Sequence, residues 1–240
     1  MKLLLLMLMV VFTTILTPAQ TVQERGSFTG TVQKTVSSEY LLYLPDGYAE
    51  NSTTKWPMLV FLHGSGERGT DIEKVKVHGP PKLIQQGRKF PFVVLSPQCP
   101  DSVDWDTETL FALIKHIAAA YRIDESRVYL TGLSMGGWAT WDMAMAYPDY
   151  FAAIAPVCAR INRNYPSRAK ELLSLPVWVF HGAADDVVLI GESAKMVKAL
   201  EDAGNKVRFT IYPTAGHDSW TETYNNPELF DWFLSNKRKP

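Results

Sequence analysis

Hydrophobic positions along the chain alternate between two periods. Met58–His63, Phe92–Ser96, Arg127–Thr131, Ala152–Val157 and Val177–Phe180 are short apolar runs rich in β-branched and aromatic residues, and they predict strands buried on both faces. Val207–Tyr212 alternates apolar and polar and reads as a further strand. Between these runs the spacing lengthens. Leu110, Leu113, Ile114, Ile117 and Tyr121 recur at the helical period and predict a helix over Thr107–Tyr121. Helices are also expected around Ile72–Gln86 and Trp138–Met145. At the start, Ser27–Val36 and Tyr40–Leu44 read as an antiparallel pair that ends in the turn residues Pro45-Asp46-Gly47. Strand and helix alternating in this way imply an α/β fold, with a mostly parallel sheet of about eight strands and helices on both faces. No internal repeat, low-complexity tract or linker interrupts the pattern.

The most informative string is Gly132-Leu-Ser-Met-Gly136, followed by Gly137. It joins a buried strand to a helix, the context in which a G-x-S-x-G serine sits on a sharp turn with its hydroxyl exposed. Ser134 is the candidate nucleophile. Gly132 and Gly136 are needed where a Cβ would collide with neighbouring backbone. Downstream, Asp185 and Asp186 follow the strand ending at Phe180, and either could orient an imidazole. His217 follows the strand ending at Tyr212. Nucleophile, acid and histidine thus come in the chain order expected for such a site, each at the C-terminal end of a strand.

These segments resemble the α/β-hydrolase superfamily, and within it the secreted esterases of the phospholipase/carboxylesterase and dienelactone-hydrolase-like group, often labelled predicted peptidases. The resemblance is carried by LVFLHGSGERG (Leu59–Gly69), HGPPKLI (His78–Ile84), SPQCP (Ser96–Pro100), RVYLTGLSMGG (Arg127–Gly137), PVWVFHGAADDVV (Pro176–Val188) and AGHDSWTETY (Ala215–Tyr224). It implies an α/β-hydrolase fold with a minimal lid, and it selects Asp185 over Asp186 as the acid. The oxyanion-hole donors are then the backbone N–H of Met135, after the nucleophile, and that of Ser65 in the HGSG loop, with Gly66 as its alternative. His63 and His181 end buried strands and are expected to be structural.

Residues 1–19 read as a signal peptide. Lys2 is basic, Leu3–Leu16 are mostly apolar, and Thr17-Pro18-Ala19 suit cleavage after Ala19. The apolar run is shorter than the ~20 residues that span a bilayer, so no membrane anchor is expected. The first cysteine is Cys99, which excludes a lipidated cysteine at the processing site. Residues 20–240 are then one catalytic domain, secreted or periplasmic. Cys99 and Cys158 follow strands that two others separate in this fold; at ~4.8 Å per strand they lie too far apart to bridge, so both are expected as free thiols.

Lys and Arg number 24 against 25 Asp and Glu, which argues against nucleic acid as a partner. Neither zinc-binding spacing nor a phosphate loop is present, so no metal or cofactor is expected. Trp105 and Trp220, placed in loops near the strand ends, are candidate substrate platforms, whereas Trp138 and Trp141 read as core. The chain between the strand ending at Val157 and the one starting at Pro176 is too short for a large lid. The expected activity is that of a serine carboxylic-ester hydrolase on short-acyl or aromatic-acyl esters, with acetyl or feruloyl esters of plant polysaccharide fragments as the fitting small-molecule or oligosaccharide class. A serine peptidase of small peptides and an acyltransferase are the alternatives that share the triad.

Overall fold

The structure is a computed structural model and describes residues 25, 27–31, 33–50 and 53–238. Residues 1–19, read as a signal peptide, lie outside the described residues. The chain falls into two units, Met1–Thr35 and Val36–Pro240. The described residues of the first contain no helix or strand, and none of the described helices is long and apolar enough to cross a membrane.

The second unit holds a seven-stranded sheet. Its strands are β1 (Tyr40–Tyr43), β2 (Trp56–Leu62), β3 (Val93–Pro97), β4 (Ile123–Leu133), β5 (Ala153–Val157), β6 (Trp178–Gly182) and β7 (Arg208–Tyr212). They lie in the order β1-β3-β2-β4-β5-β6-β7. All neighbours are parallel except β1, which runs antiparallel to β3. The helices are α1 (Gly79–Gln85), α2 (Thr107–Ala120), α3 (Met135–Ala146), α4 (Gly191–Ala203), α5 (Trp220–Asn225) and α6 (Pro227–Ser235).

Side chains alternate across β2 and so split the core into two layers. Met58, Val60 and Leu62 pack with Leu110, Ile114 and Ile117 of α2, whereas Leu59 and Phe61 pack with Leu229, Phe230 and Phe233 of α6. Each such side chain contributes roughly 1.5–3 kcal/mol by leaving water, so a central strand that buries both faces anchors both helical layers. Asp106 caps α2 by accepting the Thr109 N–H at 2.8 Å.

Two sequence expectations are corrected. Ser27–Val36 does not form a strand in its described residues; β1 pairs with β3 instead, from Tyr40 opposite Pro97 to Tyr43 opposite Val94. The buried apolar run of β3 offers burial that the polar stretch Thr31–Thr35 cannot, and the described residues form seven strands, close to the eight expected. The single helix expected over Ile72–Gln86 is a 3₁₀ turn, Ile72–Val77, followed by α1. His78 between them is extended because Pro80 and Pro81 can enter a helix only at its first turn. Cys99 and Cys158 are free and buried, as the strand separation predicted.

The tightest packing lies where α3 starts against the end of β2. A Cβ on Gly136 would stand 2.0 Å from the Leu62 carbonyl oxygen, and one on Gly132 would stand 2.4 Å from the Gly136 oxygen. Backbone cannot yield as a side chain can. Gly136→Ala is therefore expected to destabilise the protein by about 3 kcal/mol or more, and an unchanged urea midpoint would refute this account of the turn.

Candidate active site

Ser134 follows β4 with φ at 51° and ψ at −113°, a positive φ that a non-glycine residue rarely adopts. Its N–H donates to Val157 O at 3.0 Å, and its own carbonyl accepts the Trp138 N–H at 2.9 Å. The first bond ties the turn to β5 and the second starts α3. The strained residue is thus held from both sides.

The hydroxyl meets an imidazole. His217 Nε2 lies 2.9 Å from Ser134 Oγ, and His217 Nδ1 lies 2.8 Å from Asp185 Oδ2. The two carboxylates that the sequence offered are separated by burial: Asp185 is enclosed and Asp186 is exposed. Asp185 Oδ1 accepts the N–H groups of Val187 at 3.0 Å and Val188 at 2.9 Å.

A second histidine completes this arrangement. His181 is fully buried, with Nε2 2.8 Å from Val188 O and 3.1 Å from Asp185 Oδ2, while Nδ1 lies 2.8 Å from Ser193 Oγ. A carbonyl only accepts, so the proton sits on Nε2 and the Ser193 hydroxyl donates to Nδ1. His181 is therefore structural, as expected, and it braces the acid directly. Burial pushes the Asp185 carboxyl upward, but hydrogen bonds from His217, Val188 and Val187 outweigh it and hold the group below the usual aspartate range.

The HGSG loop is pinned peptide by peptide. His63 Nε2 accepts the Cys99 N–H at 3.1 Å, so Nδ1 carries the proton and donates to Gly64 O at 2.7 Å. Burial lowers the His63 pKa, consistent with this neutral tautomer. Because a peptide is planar, fixing the Gly64 carbonyl also fixes the direction of the Ser65 N–H. Arg68 Nε donates to Ser65 O at 3.2 Å, and the Gly64 N–H donates to Glu67 Oε2 at 3.0 Å. The Gln98 amide donates to Glu67 O at 2.9 Å and to Gly69 O at 3.1 Å. Ser65, Ser134 and Met135 then line one cavity of about 430 Å³. The N–H of Met135, at the first position of α3, has no partner within its helix.

The tryptophans fall differently from the expectation. Trp138, read as core, is half-buried and lines the Ser134 cavity, whereas Trp141 is fully buried. Trp105 packs on His63 with ring centres 4.8 Å apart and donates Nε1–H to His63 O at 3.2 Å. Trp220 opens α5 instead of lying in a loop, and stands edge-on to the His217 ring at 5.4 Å. Neither lines the Ser134 cavity, and Trp105 lines a cavity beside it. Glu67, Gln98, Ser193 and Arg160 went unread. The first two stand inside the HGSGERG and SPQCP strings, which was the available signal. The thiols of Cys99 and Cys158 are pushed up by burial to about 11 and about 12, so neither supplies a competing thiolate.

The sequence profile of the dienelactone hydrolase family matches residues 27–229. The chain belongs to this family. Among relatives, it is 30% identical over 168 residues to the bifunctional acetylxylan esterase/xylanase XynS20E of Neocallimastix patriciarum, a match that covers 67% of this chain and 23% of that protein. It is 30% identical over 126 residues to feruloyl esterase B of Neurospora crassa, covering 46% of this chain and 40% of that one. A thermostable esterase of known structure superposes with a TM-score of 0.70 at 35% identity, over 83% of this chain and 59% of that chain. This dienelactone hydrolase family member therefore spans under a quarter of the first relative's length and 59% of the esterase chain.

The bracing has three testable consequences. Asp185→Asn is expected to lower kcat on an ester by about 10⁴-fold and Asp186→Asn to leave it nearly unchanged; the reverse order would overturn the assignment. Because the folded Asp185 pKa is depressed, its stabilising contribution is complete above about pH 4 and is lost as pH falls through the lower folded value. The acid limb of a stability-versus-pH curve should therefore flatten in Asp185→Asn. Glu67→Ala is expected to cost about tenfold to a hundredfold in kcat with little change in KM, approaching the loss of an oxyanion donor itself. Glu67→Gln, which keeps an acceptor for Gly64 N–H, should recover most of it.

Proposed function

We propose that the chain is a serine carboxylic-ester hydrolase that works through an acyl-enzyme. The observation that carries this reading is the continuous hydrogen-bonded line from Ser134 Oγ through His217 to Asp185, at 2.9 Å and 2.8 Å. His217 takes the hydroxyl proton as Ser134 attacks the ester carbonyl, then returns it to the leaving alkoxide. Asp185 holds the imidazole in the tautomer with its proton on Nδ1 and stabilises the imidazolium. The N–H groups of Ser65 and Met135 receive the oxyanion. Water activated by the same histidine then releases the acid.

The substrate class is short-acyl or small aromatic-acyl esters, with acetyl or feruloyl esters of polysaccharide fragments as the natural candidates. The named activities of the acetylxylan and feruloyl esterase relatives support that class. So does the cavity wall, where Val187, Val188 and Leu189 supply apolar surface beside the half-buried Trp138. Only a loop and one 3₁₀ turn, Pro166–Leu172, lie between β5 and β6, which leaves little material to cover a long alkyl chain. The leader-like residues 1–19 add export to this reading.

An active-site phosphonate is expected to label Ser134 alone, and Ser134→Ala to lose nearly all ester turnover while its thermal midpoint is retained. Full turnover in that variant would sink the reading. Across 4-nitrophenyl esters, kcat/KM should peak from acetyl to butyryl and fall beyond roughly eight carbons, since each CH₂ gains ~0.8 kcal/mol only where protein covers it. A steady rise to dodecanoate would refute the open site.

A further inference from the structure

A second cavity, of about 610 Å³, adjoins the one that holds Ser134. Trp138 lines both and divides them. The guanidinium of Arg160 lies 3.6 Å above the Trp138 ring centre, so indole and guanidinium together form a flat ridge between the two spaces. Beyond the ridge the wall carries Trp105, Asp142, Asn162, Tyr165 and Arg168.

These side chains select by chemistry. Two half-buried indoles supply apolar surface, while an amide, the carboxylates of Asp106 and Asp142, a phenol and a guanidinium supply directional donors and acceptors. Several of these groups already have partners. Arg168 forks onto Glu171 at 2.8 Å and 2.6 Å, and the Tyr165 hydroxyl donates to Asp142. Asn162 is exposed and its side-chain oxygen accepts the Asn164 N–H at 3.2 Å, so its amide NH₂ is the group it offers a ligand. A wall that is aromatic and rich in hydrogen-bonding groups, with two carboxylates and a guanidinium already held by Glu171, suits a neutral polyol, whose C–H faces meet indole and whose hydroxyls meet amide and carboxylate. It is ill suited to an alkyl chain or to a strongly charged group. Each cavity is also within the size range of a small-molecule site.

We propose that this second cavity is a sugar subsite, which receives the next glycosyl unit of an oligosaccharide ester whose reacting carbonyl sits at Ser134. The proposal rests on the esterase reading for the placement of the ester and names the alcohol that esterase prefers. Unlike acyl-chain selection at the Ser134 cavity, the subsite acts on groups remote from the bond that breaks.

The test compares monoacetylated xylose, xylobiose and xylotriose with 4-nitrophenyl acetate and hexyl acetate as substrates. The kcat/KM is expected to rise about tenfold or more from the xylose to the xylotriose ester. Asn162→Ala should remove about three- to tenfold of that gain, the worth of one hydrogen bond. Asn162→Trp, which fills the cavity, should abolish the gain, and both variants should leave 4-nitrophenyl acetate turnover unchanged. A flat saccharide series, a larger gain from hexyl than from sugar, or equal losses on all substrates would overturn the subsite while leaving the esterase standing. Absence of turnover on every ester would instead sink the esterase reading. Binding decides the subsite independently of activity: unesterified xylotriose should shift the tryptophan fluorescence of Ser134→Ala saturably, and the added Asn162→Trp change should eliminate saturation. No saturable shift would overturn the proposal.

Discussion

The site depends on the close approach of backbone to backbone where α3 begins over the end of β2. With no Cβ at Gly132 or Gly136, the first turn of α3 settles against the Leu62 and His63 carbonyls. One contact therefore sets two things. It aims Ser134 upward at a positive φ, and it brings the N-terminus of α3 beside the loop that follows β2, so that Met135 and Ser65 border the same cavity. Larger residues at those glycines would separate Ser134 from the N–H groups that border its cavity.

Around that contact, rigidity comes from buried polar groups whose hydrogen bonds are satisfied. His63 and His181 occupy corresponding positions, each at or just after the end of a central strand, and each holds a different functional loop. His63 grips the Gly64 carbonyl, and His181 grips the Asp185 carboxylate. Both are buried, and the bonds they make define which nitrogen carries the proton in each. A buried polar group stabilises only if every partner is in place, so these rings also demand a single loop conformation. His217, which meets Ser134, is by contrast left partly accessible to solvent.

The rim of the site follows different physics. Exposed Val187 and Leu189 lie on one side of the Ser134 cavity, and the Arg160–Trp138 ridge on another, with little covering chain. Surface of this kind binds by shape and by a few directed bonds rather than by enclosure. The two parts are thereby built differently: a braced interior around Ser134, His217 and Asp185, and an open wall beside them.

The order of strands and helices was legible in the sequence because burial on both faces writes unbroken apolar runs such as Met58–His63, and Ser134, Asp185 and His217 were legible because each falls just after such a run. What the pattern could not convey was contact between distant segments. Trp138 looked like core because α3 is apolar around its whole circumference, and only packing shows which side faces the cavity. Trp105 and Trp220 were legible as lying near strand ends, but only packing shows that they rest on His63 and His217. The bracing by Glu67, Gln98 and Ser193 depends on the third dimension in the same way. Periodicity records how often a residue meets the interior, but which atom it meets there is decided only when strands separated by dozens of residues close into one sheet.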